Sequence, residues 1–145
     1  SPDMGGTKEG NTYAKVLKAP MVIRYKSREK GNIGGEMKVI GDIEGKNVII
    51  MDDMIDTAGT LTKAANIIME RGALSVRAFA KHPVLSGPAY DRITNSALTE
   101  VYVPDSIPLK HHSDNIKILS VADLFADVIK KIYNYQSISS TFIVP

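Results

Sequence analysis

The chain contains no cysteine, which removes disulfides, thiolate zinc sites and cysteine nucleophiles together. Charge of one sign is also scarce: 18 Lys and Arg against 16 Asp and Glu leave a formal +2, and no run of Lys and Arg follows a helix face. Nucleic acid is therefore not an expected partner. No apolar stretch approaches the roughly 18 residues of a membrane span, and the opening "SPDMGGTKEG" lacks the basic and apolar regions of a signal peptide. No membrane partner and a cytoplasmic location are the resulting expectations. The pattern G-x-x-x-x-G-K-[ST] occurs nowhere, so a Walker loop is excluded, and no internal repeat or low-complexity segment is present. What is there is 145 residues, 43% hydrophobic and 23% charged, the proportions of one ordinary globular domain. The first residue is not Met, and the chain opens on what reads as the end of a strand, so a piece of a longer protein is expected.

β-branched runs alternate with helical patterns, which predicts an α/β fold. Residues 7–17 read as a helix that must end before Pro20, because the residue preceding proline avoids helical backbone. Residues 21–26 and 36–40 read as two strands around "SREKGNIGG", a polar, glycine-rich and mobile loop. The unbroken Val48, Ile49, Ile50, Met51 predicts a strand over 47–52 in the middle of a parallel sheet, buried on both faces. A helix over 60–71 presents Leu61, Ala64, Ala65 and Ile68 on one stripe and stops at Gly72, a left-handed cap. Residues 75–80 and 98–103 read as further strands, 116–119 as a brief apolar run and 87–95 as a short helix. Val121, Leu124, Phe125, Val128, Ile129 and Ile132 follow helical spacing and predict an amphipathic helix over 121–133. Met51, Met54 and Met69 read as core filler.

The informative stretch is "VIIMDDMIDTAGT", residues 48–60. In an open parallel sheet, ligands bind beyond the carboxyl ends of the strands, where Asp52 and Asp53 fall. Successive side chains point to opposite sides of a strand, so one of the two is expected to leave the strand for the loop. Beyond them, Ala58 and Gly59 allow close backbone approach, Thr57 and Thr60 offer hydroxyls, and the unpaired amides of a helix start favour an anion. This composition suits a phosphate monoester. Carboxylates beside a phosphate are reconciled if the phosphate belongs to a sugar, whose hydroxyls need acceptors, and if Mg2+, which favours hard oxygen ligands, shares the site. Simple helix capping by the same residues stands as the alternative. His82 reads equally as a cleft residue or a packed one, and the adjacent His111 and His112 lack the spacing of helical metal ligands.

"VIIMDDMIDTAGT" resembles the ribose 5-phosphate loop of the ribose-phosphate pyrophosphokinases, also called phosphoribosyl pyrophosphate synthetases. "SPDMGG" resembles that family's pyrophosphate loop, "HPVLSGPA" and the pair Asn95 and Ser96 recur there, and "QSIS" resembles its C-terminal signature. The resemblance covers essentially the whole chain but corresponds to the second, C-terminal half of a synthetase. It implies a type I phosphoribosyltransferase-like domain over residues 1–145: a parallel sheet flanked by helices, with a flexible flap. The implied reaction transfers pyrophosphate from ATP to ribose 5-phosphate, giving phosphoribosyl pyrophosphate and AMP.

The resemblance also implies roles. Asp52, Asp53, Asp56, Thr57, Ala58, Gly59 and Thr60 would bind ribose 5-phosphate, and Asp3, Met4, Gly5 and Gly6 the transferred pyrophosphate, with Asp3 on the metal. Lys26 and Arg28 match a catalytic pair on the family's mobile loop, where cations stabilise charge developing in the transition state, and Lys30 is a bystander. Ser137 and Ile138 match a segment that makes subunit contacts and holds a regulatory phosphate, and the intact enzyme would be a homo-oligomer. Glu9 departs from the family's usual Arg, and Ser140 and Thr141 replace bulkier residues. Two alternatives remain: a type I phosphoribosyltransferase of nucleotide salvage, and a non-catalytic, synthetase-like regulatory subunit. The 145 residues alone are expected to be inactive.

Overall fold

A computed structural model describes residues 4–21, 23–26 and 37–142. The first helix, α1 (Met4–Leu17), starts three residues earlier than its apolar pattern suggests and ends before Pro20 as expected. Two short strands, β1 (Ile23–Lys26) and β2 (Met37–Ile40), pair antiparallel, Ile23 opposite Ile40 and Lys26 opposite Met37. They form the predicted excursion from the main body. The loop expected at 27–35 lies outside the described residues.

The main sheet has four parallel strands in the order β3-β4-β5-β6: β3 (Asn47–Ile55), β4 (Ser75–Pro83), β5 (Glu100–Pro104) and β6 (Ile116–Leu119). Helix α2 (Gly59–Glu70) joins β3 to β4, and α3 (Ala89–Thr94) joins β4 to β5. Strand β4 shows why one face of the sheet is the core. Val76, Ala78 and Ala80 are buried while Ser75, Arg77, Phe79 and Lys81 between them are half-buried, the period-2 alternation of a sheet covered on one side. Val101 and Val103 of β5 continue that inner face, and Leu61, Ala65 and Ile68 of α2 with Ala89 and Ile93 of α3 close over it. The predicted α2 stripe is buried throughout. Its end is the expected glycine cap: Gly72 has φ 88°, and its amide donates to the Met69 carbonyl at 3.0 Å.

Two expectations about β3 fail. It is an edge strand among the described residues, not a central one, and Ile49 is 56% exposed. Four consecutive apolar residues predict an apolar strand, but α2 covers only one of its faces, so the run is not buried twice. The strand also continues through Ile55 instead of ending at Asp52, because pairing with β4 persists to Met54 opposite His82 and Ile55 opposite Pro83. The backbone ladder overrides the low strand preference of the acids. Met54 is 49% exposed and is not core filler; Met51 and Met69 are half-buried.

On the less covered face, Arg77 of β4 donates from Nε to Glu100 of β5 at 2.9 Å, Tyr102 donates to the same carboxylate oxygen at 3.0 Å, and Arg77 Nη1 reaches Ser75 at 3.2 Å. The Arg77 guanidinium, then the Tyr102 hydroxyl, hold the Glu100 carboxyl below the usual range. The last helix, α4 (Ala122–Tyr133), forms where its pattern places it, but none of its side chains is buried. Its start is fastened by Asp105, which accepts from Ser120 Oγ at 2.6 Å and from the Val121 amide at 2.9 Å. A single 3-10 turn, Ser139–Thr141, follows.

Candidate functional site

The site is built where β3 gives way to α2. Both Asp52 and Asp53 lie within the strand, so neither leaves it as predicted. Strand alternation separates their side chains, and a backbone contact links the two residues. The Asp53 amide donates to Asp52 Oδ1 at 3.0 Å. The Asp53 carboxyl sits below the usual aspartate range, chiefly through a hydrogen bond with the Asp52 carboxyl, helped by the Asp53 and Met54 amides and the Lys81 ammonium against the cost of burial. The strand end thus offers an exposed carboxylate beside a half-buried one.

The turn after the strand is held by residues far away in sequence. Ser86 clasps Asp56 twice: its hydroxyl donates to Asp56 Oδ1, and its amide donates to the Asp56 carbonyl at 3.1 Å. The Leu85 amide donates to the Ile55 carbonyl at 3.0 Å. Arg92 of α3 donates from Nη1 to the Thr57 carbonyl at 2.9 Å. Thr62, a buried polar residue, donates its hydroxyl to the Ala58 carbonyl at 2.9 Å and its amide to the same oxygen at 3.0 Å. The carbonyls from Ile55 to Ala58 are in this way all engaged by protein donors.

Ala58 is the N-cap of α2 and adopts the left-handed conformation, φ 60° and ψ 0°, with its side chain buried. For a non-glycine residue this conformation costs about 1–2 kcal/mol. Strong N-caps are Ser, Thr, Asp and Asn, whose side chains accept from the first-turn amides. Ala58 has no such acceptor, and no side-chain cap bond is made. The amides that open α2 consequently keep their donor capacity for something else, with the positive end of the helix dipole behind them. Thr57 and Thr60, on either side, are exposed.

The other predicted site residues are distributed as follows. Met4, Gly5 and Gly6 form the first turn of α1 instead of a loop before it, and Lys26 ends β1. Asp3 and Arg28 lie outside the described residues. Ser137 is exposed and Ile138 half-buried; the Ser137 hydroxyl is 2.9 Å from that of Ser139 and accepts from the Ser139 amide at 3.2 Å. His82 is exposed at the end of β4, His111 packs against Tyr90 in a tilted ring pair with centroids 4.3 Å apart, and His112 pairs with Asp114 at 3.0 Å. Thr62, Ser86 and Arg92 were not singled out from the sequence. Ser86 lies in the quoted "HPVLSGPA", whereas Thr62 and Arg92 carry no local signal, since their importance comes from what they touch.

Comparison with known proteins places the chain in a family. A family profile described as phosphoribosyl synthetase-associated domain matches residues 4–143. A ribose-phosphate pyrophosphokinase of Porphyromonas gingivalis is 51% identical over 142 residues, which is 98% of this chain and 45% of that protein. A second, from Wolinella succinogenes, is 50% identical over 99% of this chain and 46% of its own length. The crystal structure of phosphoribosylpyrophosphate synthetase from Mycobacterium smegmatis superposes with a TM-score of 0.83 at 34% identity, covering 92% of this chain and 44% of that one. The chain therefore spans a little under half the length of these relatives. With the sequence motif, the parallel α/β sheet and the matched profile in agreement, the chain belongs to the ribose-phosphate pyrophosphokinase family, of which it carries the phosphoribosyl synthetase-associated domain.

Proposed function

We propose that this domain binds ribose 5-phosphate at the carboxyl end of β3 and forms the C-terminal half of a cytoplasmic enzyme that transfers pyrophosphate from ATP to the 1-hydroxyl of that sugar, releasing AMP. The observation that carries the reading is the α2 start, where Ala58 holds a strained left-handed cap with no side-chain acceptor, shortly after a strand that carries the adjacent Asp52 and Asp53 near its end. Strain of this kind persists where function uses it. The first-turn amides with Thr57 and Thr60 would take the 5-phosphate, and Asp52, Asp53 and Asp56 the ribose hydroxyls. Asp53 is suited to accept a hydroxyl proton in a hydrogen bond because its carboxyl is held ionised.

The same carboxylates fit a magnesium ion. Among the described residues no three His, Asp or Glu side chains form a closed cage, and magnesium characteristically takes one or two carboxylates and completes its shell with water and substrate oxygens. Asp52 and Asp53 would hold it, with Asp3 a further ligand; when bound it supplies charge neutralisation for the phosphoryl oxygens. Met4 to Gly6, at the amide-rich start of α1, would receive the transferred pyrophosphoryl group, and Lys26 with Arg28 the charge that develops on transfer. Positioning and electrostatics suffice, so no covalent intermediate is invoked. Ser137 and Ile138 are assigned to a regulatory phosphate site, and the intact enzyme to a homo-oligomer. Among the described residues no helix is long and apolar enough to cross a membrane.

The test is a product assay on the full-length protein that contains this stretch. AMP release from ATP and ribose 5-phosphate without any nucleobase, lost on Asp53→Asn, is expected. Pyrophosphate release that needs an added base would instead establish the phosphoribosyltransferase alternative, and no turnover of either kind the regulatory subunit. The 145 residues alone are expected to show negligible turnover.

A further inference from the structure

Among the described residues, the side-chain contacts given for Arg92 serve the turn that opens α2. Its guanidinium donates to the Thr57 carbonyl at 2.9 Å. It also sits over Gly59: a Cβ added there would lie 3.1 Å from Arg92 Nη1 and 3.6 Å from Cζ. Gly59 is in helical backbone and so needs no glycine for its own dihedrals. Helix propensity disfavours glycine there by about 1 kcal/mol relative to alanine. A side chain there would crowd the guanidinium and push it aside by a few tenths of an ångström.

We propose that Arg92 is a positioning residue for the ribose 5-phosphate cradle, and that a side chain at Gly59 would displace it from that position. This rests on the ribose 5-phosphate reading above. A carbonyl oxygen turned toward a phosphate repels it, and the Thr57 carbonyl is one residue from the α2 cap. By binding that oxygen, Arg92 keeps it from the anion, while Thr62 does the same for the Ala58 and Gly59 carbonyls, at 2.9 and 3.3 Å. The two differ in that Arg92 also brings a full positive charge to the positive end of the helix dipole. It reaches the turn from α3, so the β4–α3 segment, with Ser86 on Asp56, sets the shape of a loop it does not adjoin in sequence.

The test is calorimetric titration of the 145-residue chain with ribose 5-phosphate, using Arg92→Gln, Arg92→Lys, Gly59→Ala and the Gly59→Ala/Arg92→Gln double variant, with thermal midpoints recorded for each. Loss of a charge-assisted hydrogen bond predicts about tenfold weaker binding for Arg92→Gln. Arg92→Lys, which keeps the charge and a donor, should recover to within about threefold of wild type. Gly59→Ala should weaken binding comparably on its own, yet change it less than about twofold once Arg92 is Gln, since contacting residues are non-additive. A purely structural role would lower the thermal midpoint without rescue by lysine. Wild-type affinity in Arg92→Gln, or an equal penalty from Gly59→Ala in both backgrounds, would overturn the assignment while leaving the ribose 5-phosphate reading intact. Failure of the wild-type chain to bind would overturn both.

Discussion

Helices α2 and α4 are both 12 residues long and both amphipathic, yet α2 buries five side chains and α4 none. On α2, Leu61 is 3% exposed and Ala65 fully buried; on α4, Phe125 is 60% and Ile129 64% exposed. The contrast shows what an apolar stripe specifies. It says that a face is built to be covered, and leaves open what covers it. For α2 the cover is the inner face of β3, β4 and β5, brought back by the strand–helix–strand connection it belongs to. For α4, no described element buries a side chain of the helix. It is held at its start by Asp105 and along its length by the Lys131–Asp127 pair at 2.7 Å.

The largest expected consequence is dynamic. A 12-residue helix without tertiary burial is marginal in water, so amides of α4 should exchange with solvent at least ~100-fold faster than those of α2. Equal protection, measured by hydrogen exchange on this chain, would mean that α4 has a covering partner the contrast denies it. Next in size is a pair of truncations. Leu61→Ala should lower unfolding free energy by about 3 kcal/mol, whereas Ile129→Ala should change it by no more than about 0.5 kcal/mol. Denaturant titration reads both, and a cost at Ile129 matching that at Leu61 would break the comparison.

The smallest expected effect is on the α4 tether. Asp105 lies below its ordinary pKa because the Ser120 hydroxyl, then the Val121 amide, donate to its carboxylate. A depressed carboxyl contributes stability that is present above its unfolded value, about 3.9, and is lost as pH falls through the folded one. The Val121 amide resonance should titrate with a midpoint below that value, and Asp105→Asn should abolish the transition. A midpoint at the ordinary value would show the tether to be open in solution.

The same contrast explains what could be read from residue order. The α2 stripe, the glycine stop at Gly72 and the α4 helix were all legible, because each depends on spacing within a dozen residues. The small-residue helix start following the acid pair was legible for the same reason. The edge position of β3, its continuation to Ile55 and the exposure of Met54 were not, since they are set by which strand and helix lie alongside. Nor was the bracing of the turn: Arg92 meets Thr57 across 35 residues of sequence, and Ser86 meets Asp56 across 30. Nor was the bond from the Asp53 amide to the Asp52 carboxylate.

The reading of the α2 start as a phosphate cradle is tested most directly by titrating ribose 5-phosphate into the wild-type chain and Thr60→Val, a change that removes one exposed hydroxyl at the helix start and nearly preserves side-chain shape. Saturable binding by wild type, weakened roughly tenfold in Thr60→Val, is the expected result. Equal binding by both, or none by wild type, would contradict it.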